Sequence, residues 1–259
     1  MLDRDARRGV SFVRSGLPAL LGLCVSGTLI AALASASSGC SDDTTTPMKS
    51  DAGADSSADS SAEGGPTTVT LYPDAAPLPG ESECKVVMVT GIPVTGATHL
   101  PFCTAIEYPT NPPSGGNHWG MWAAYKKYTS PVPREMYVHD LEHGAVVIAY
   151  RCTTGCPELV AALGEIYDGV SLDPLCVQSG GTARAVLTPD PELDAPIGAA
   201  TWGATYVATC LDPESLSEFL ADNYGKGPEQ TCAAGKDVEN PEAGLPSCDG
   251  GAGDGGDGG

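Results

Sequence analysis

Basic residues are scarce in this chain: thirteen Lys and Arg stand against thirty-three Asp and Glu in 259 residues, a formal charge of −20. Nucleic-acid binding draws its affinity from clustered Lys and Arg that neutralise phosphates, so that class is excluded. An anionic membrane surface would also repel the chain unless something covalent or hydrophobic anchored it. Aromatic residues make up only 6%, while Gly (33) and Pro (22) are plentiful, a balance that favours loops over a large aromatic core. There is no G-x-S-x-G string for a serine nucleophile, no Walker loop and no G-x-G-x-x-G after a strand, which argues against serine hydrolases and nucleotide cofactors.

A long apolar run is present at one place, from Leu17 to Leu33, behind Arg4, Arg7, Arg8 and Arg14. A charged segment followed by an apolar one reads as an export signal over residues 1–39. The small residues that follow, Ser37-Ser38-Gly39-Cys40, resemble a bacterial lipobox, with Ser37 where Leu is usual. The resemblance implies lipidation of Cys40; cleavage after Ala36 and an uncleaved anchor are the alternatives. Arg7-Arg8 also raises a twin-arginine export route, which Gly9-Val10-Ser11-Phe12 fits poorly. Residues 40–66 carry Asp51, Asp55, Asp59 and Glu63 at intervals of four among Ser, Thr, Ala and Gly. Like charges at that spacing oppose a helix, and apolar residues are too few to offset the ordering entropy, so the segment reads as a disordered acidic tether. Residues 249–259, seven Gly, three Asp and one Ala, read as a disordered tail.

What remains, residues 67–248, is long enough for one globular core, with eight basic and twenty-two acidic residues. It holds Cys84, Cys103, Cys152, Cys156, Cys176, Cys210, Cys232 and Cys248. In an exported protein an even set reads as four disulfides whose pairing sequence alone does not choose. Cys152 and Cys156 lie in C-x-x-x-C-P between a strand-like and a helix-like run, which resembles the copper and redox site of thioredoxin-like copper chaperones of the Sco type. The pair is therefore either a structural cystine or a redox or metal-binding one.

The patterning predicts strands over Cys84–Thr90, Ala145–Tyr150, Thr182–Thr188 and Ala199–Thr209. Helices are expected over Pro157–Tyr167, with Pro in the first turn, and from Asp212 to near Gly225. From Ala145 the order is β-α-β-β-α, an α+β fold with a small mixed or antiparallel sheet, two or three helices and one disulfide-stabilised domain. Residues 91–137, rich in Pro, Gly and aromatics, read as a long ordered loop region where binding residues tend to lie.

The four histidines, His99, His118, His139 and His143, all fall within forty-five residues. On a helical turn His139 and His143 share a face, and Gly144 ends the turn, so both imidazoles can serve one ion. If the string is extended, the two still share a face but stand farther apart. Neutral imidazole suits a transition metal such as zinc or copper, and Glu142, Asp140 and Glu107 can ligate it or orient the rings.

H-x-x-E-H itself resembles the inverzincin metallopeptidase motif, in which both histidines bind zinc and the glutamate is the general base. Glu218 stands where a distant glutamate ligand would be sought, yet the long helices of that fold are missing from the pattern. A longer string comprises Tyr108-Pro109-Thr110-Asn111-Pro112-Pro113-Ser114-Gly115-Gly116-Asn117-His118, Tyr128, and His139-Asp140-Leu141-Glu142-His143-Gly144, with His99-Leu100, Thr188-Pro189, Trp202-Gly203 and Gly227-Pro228-Glu229 in support. It resembles the bacterial family carrying domain of unknown function 3105. The likeness spans residues 96–230. Gly115, Asn117 and Asp140 depart from the family's Ser, Pro and Asn, and the first two are expected to loosen the turn before His118. The resemblance implies an exported or membrane-tethered domain with every histidine position filled, and it implies no activity.

The sequence thus points to a cell-envelope lipoprotein, facing the periplasm or cell surface and held to the lipid bilayer through Cys40. Its core would bind a transition metal through His99, His118, His139 and His143, with Glu142 as a further ligand or as the group that orients the rings. Two alternatives stay open. One is a metal-dependent hydrolase with Glu142 as general base; the other is a disulfide-stabilised envelope module whose histidines only form hydrogen bonds.

Overall fold

The computed structural model describes residues 65–246, except Thr154, together with Cys248. The export signal, the tether with Cys40 and the glycine-rich tail lie outside the described residues. Among the described residues eight strands and four α-helices follow one another: β1 (Thr67–Leu71), β2 (Val86–Thr90), β3 (His99–Leu100), β4 (His118–Trp119), α1 (Arg134–Glu142), β5 (Val146–Tyr150), α2 (Pro157–Asp168), α3 (Pro174–Val177), β6 (Ala185–Pro189), β7 (Ile197–Thr201), β8 (Ala204–Ala208) and α4 (Pro213–Asn223).

Six strands form one mixed sheet in the order β1-β2-β8-β7-β5-β6. Only β5 and β6 run parallel, as a strand-helix-strand crossover through α2 requires. All five residues of β5 are buried, as expected for an apolar run with a neighbour on each side and cover on both faces. Alternate side chains feed two cores. Val146, Ile148, Ala185, Leu187 and Ala199 meet Leu159 and Leu163 of α2 and Leu216, Phe219 and Leu220 of α4. Val147, Val186 and Ala200 meet Met136, Tyr137, Val138 and Leu141 of α1, with Trp119 and Tyr128 beside them.

The fold is the α+β one expected, with four helices. The stretch Ala199–Thr209, expected as one strand, is the hairpin β7–β8, folded at Trp202-Gly203 and paired from Ile197↔Ala208 to Thr201↔Ala204. The run is apolar on both sides of that dipeptide, so periodicity alone does not reveal the reversal. The eight core cysteines pair as Cys84–Cys210, Cys103–Cys248, Cys152–Cys156 and Cys176–Cys232. Three of the four bridge sequence separations of 56 to 145 residues, and links across long loops restrict the unfolded chain most. No helix among the described residues is long and apolar enough to cross a membrane.

α1 is clamped at both ends. At its start, Arg134 donates from Nε to Asp190 Oδ2 (3.0 Å) and from Nη2 to Asp190 Oδ1 (3.0 Å) and Asn111 Oδ1 (3.0 Å), and Tyr137 Oη donates to Asp190 Oδ2 (3.2 Å). The two-pronged contact with one carboxylate fixes the orientation of the first turn. At its end, Arg184 donates from Nη1 to the His143 carbonyl and to Gln230 Oε1 and from Nε to Asp173 Oδ2, placing a cation against the negative end of the helix.

The segment after residue 230 runs along the loop at residues 122–130, with Lys236 paired to Trp122 and Ala124 through the backbone, and is held by Glu239. Its Oε1 accepts from Thr129 N (2.6 Å), Thr129 Oγ1 (2.7 Å) and Ser130 N (2.9 Å), and its Oε2 from Lys126 Nζ (2.9 Å). Those bonds, with Thr129 and Lys126 foremost, pull the carboxyl from the usual 4.5 down to about 2. A carboxyl whose folded-state value is depressed stabilises the fold fully above its unfolded value and ceases to do so as pH falls through the folded one. Urea unfolding of the wild type should therefore show stability draining between about pH 4.5 and 2. In Glu239→Gln that acid-dependent loss should shrink, with a cost of about 1–3 kcal/mol at pH 7; an unchanged pH profile would show that Glu239 carries none of it.

Candidate metal centre

β3 and β4 are two residues each and pair in parallel with His99 opposite His118. That ladder places two imidazoles side by side although nineteen positions separate them in sequence. The turn leading into β4 uses Gly115 and Gly116 at φ of 141° and 123°, a region that residues with a Cβ rarely adopt. Asn117 then ties the turn down: its side-chain oxygen accepts from Thr98 N (3.1 Å) and its carbonyl from Tyr108 Oη (3.0 Å). The sequence led to the expectation that Gly115 and Asn117 loosen the turn before His118; the structure instead shows the turn held at both positions. They supply the conformation and the hydrogen bond that hold it.

The H-x-x-E-H string is helical, within and at the end of α1, and Met136 to Glu142 are all buried. A helix buried over its whole second half normally carries apolar side chains there, and this one carries His139, Asp140 and Glu142. His139 and Glu142, three residues apart, face the His99–His118 ladder. One ligand atom from each of His99, His118, His139 and Glu142 lies within 4.8 Å of the others. A second group, with the same spread, joins Glu142 to His143 and Glu229. The expected pair His139 and His143 does share a helix face, with ring centroids 4.6 Å apart, but the two rings fall in different groups.

The hydrogen bonds around these rings assign their tautomers. His118 Nδ1 lies 2.8 Å from the Gly116 carbonyl and His139 Nδ1 2.7 Å from the Trp119 carbonyl. A carbonyl only accepts, so in both rings Nδ1 carries the proton and Nε2 is the nitrogen that could coordinate an ion, with the outer bracing typical of metal-bound imidazoles. His118 Nε2 is 3.0 Å and His99 Nε2 3.2 Å from the same oxygen, Glu142 Oε2. Each of those contacts sets nitrogen against a carboxylate oxygen and is joined either by a proton or by a metal ion. Burial pushes the His139 imidazole down to about 3, against the Trp119 carbonyl, so its lone pair is free for an ion at any ordinary pH. Burial also lowers His143.

The other acidic candidates stand apart from both groups. Asp140 is fully buried, and burial drives its carboxyl well above the carboxylate range; its one hydrogen bond, at 3.3 Å, comes from Ala123 N and braces the loop over α1. Glu107 is exposed on the rim of a polar cavity with Arg134 and Asp190. Glu218 is exposed on α4, a helix that packs on α2, β7 and β8. Cys152 and Cys156 pair with each other at the start of α2, beside a cavity lined by Arg151, Gly80 and Glu81.

Glu229 is the site residue that sequence reasoning did not single out. Gly227 lies so close to α1 that a Cβ there would collide with the backbone of Leu141, Glu142 and Gly144. That approach lets Glu229 N donate to the Glu142 carbonyl (2.9 Å) and brings the Glu229 carboxylate to 3.4 Å from His143 Nε2. The Gly227-Pro228-Glu229 string was the available signal, because a glycine forced by close approach fixes the place of the residue two positions on.

No curated protein and no solved structure matches the chain. A family model described as Protein of unknown function (DUF3105) matches residues 99–235, a span that begins at His99 and includes both ligand groups. More than half of the chain lies within that match, and the chain belongs to this family.

Proposed function

We propose that this protein is an exported cell-envelope lipoprotein whose folded part binds a transition-metal ion through His99, His118, His139 and Glu142. The observation that carries the reading is the convergence of His118 and His139, each with Nδ1 occupied by a backbone carbonyl, and of His99 on one buried carboxylate. Three imidazoles and a carboxylate suit zinc or copper, and a closed four-ligand shell favours a storage, sensory or structural role. Glu142 offers its oxygen to two rings at 3.0 and 3.2 Å, which supports a ligand over a general base for hydrolysis. The disulfides suit an oxidising compartment outside the cytoplasm. Lipidation at Cys40 would tether the acidic domain to the bilayer that its charge otherwise opposes.

Equilibrium dialysis of the full chain against zinc or copper, with metal analysis of the retained protein, tests the centre. The wild type should retain at least one ion per chain, and His118→Ala and His139→Ala should weaken the tightest ion at least 100-fold. Retention of no ion, or equal binding by the variants, would leave only a hydrogen-bonded histidine–carboxylate cluster and refute the reading. Labelling with a radioactive fatty acid in a bacterial host tests the anchor: label should enter the wild type and be missing from Cys40→Ser. Equal label in both, or none in the wild type, would remove the lipid from the account.

A further inference from the structure

Glu142 belongs to both ligand groups, and the contacts to His99 and His118 use only its Oε2. A carboxylate has two oxygens and can give one to each of two cations, which then lie about 3.5–4 Å apart. The second group has the parts of a site. His143 is 4% exposed and its Nδ1 is buried without a hydrogen-bond partner. The Glu229 side chain, 54% exposed, opens the group to solvent and gives an ion a way in. Both carboxylates have an oxygen within 4.8 Å of the other's and of a His143 nitrogen.

The backbone holds this arrangement in place. Glu229 N is bonded to the Glu142 carbonyl, and Gln230 Nε2 donates to the carbonyls of Gly225 (2.7 Å) and Gly227 (2.9 Å). Arg184 Nη1 spans the His143 carbonyl and Gln230 Oε1, so one guanidinium fixes the end of α1 to the loop that carries Glu229. We infer that the centre is dinuclear: a second divalent cation is held by His143, Glu229 and the shared Glu142. One imidazole and two carboxylates make a harder donor set than that of the first ion, suited to Zn²⁺, Mn²⁺ or Fe²⁺. With three protein donors, this ion keeps positions for water. The inference rests on the first centre in sharing Glu142 with it.

Native mass spectrometry of the metal-stripped full chain, titrated with Zn²⁺ alone, counts the ions. The wild type should take up two zinc ions, and Glu229→Gln and His143→Gln one each, with the first ion's affinity kept within about threefold. Glu229 is half exposed, so its variant tests the site without a burden on folding. One ion in the wild type and in both variants, or two in all three, would overturn the second site while leaving the first. No ion in any would overturn both.

Discussion

The Glu142 carboxylate is 5% exposed and lies among imidazole nitrogens on a helix whose other faces are buried. A buried ionised carboxylate costs several kcal/mol unless it is paired with good geometry, and nothing in the surrounding core supplies an Arg or Lys to it. Its partners are His99 and His118, carried on a two-residue ladder. Pairing, whether by ring protons or by a metal ion, is therefore the constraint around which the loop from 91 to 133 and α1 are arranged.

Much of the surrounding structure keeps that pairing rigid. Arg134 with Asp190 fixes where α1 begins, and Arg184 with the His143 carbonyl fixes where it ends. The Gly116 and Trp119 carbonyls aim two rings in advance, so an ion would meet donors that have little freedom left to lose. The sheet behind α1 supplies Val147, Val186 and Ala200 as a floor, while α2 and α4 cover the opposite face and take no part in the centre. Disulfides across long separations restrict the unfolded chain and so add to what the two packed cores supply.

Local signals carried a good part of this. β5, α2 and α4 stand out because an unbroken apolar run and two helical stripes closed by Gly169 and Gly225 each fit one period. The H-x-x-E-H string places His139 and Glu142 on one helical face with no tertiary information. Features that depend on distant partners were not readable. β1 is a polar, mostly exposed strand that exists because it pairs with β2. His99 reaches His118 only through a parallel register, and Glu229 reaches His143 only because Gly227 allows a backbone to pass against α1. The division of His139 and His143 between two groups is likewise set by Glu229, which lies 86 residues beyond His143.

The central claim is that metal, rather than protons, joins the rings to Glu142. The X-ray absorption spectrum of the full chain loaded with one equivalent of zinc tests it most directly. The account predicts a first shell of nitrogen and oxygen at about 2.0–2.2 Å with the outer-shell scattering of three imidazoles. A shell of water oxygens without imidazole scattering, or sulfur at about 2.3 Å, would contradict it.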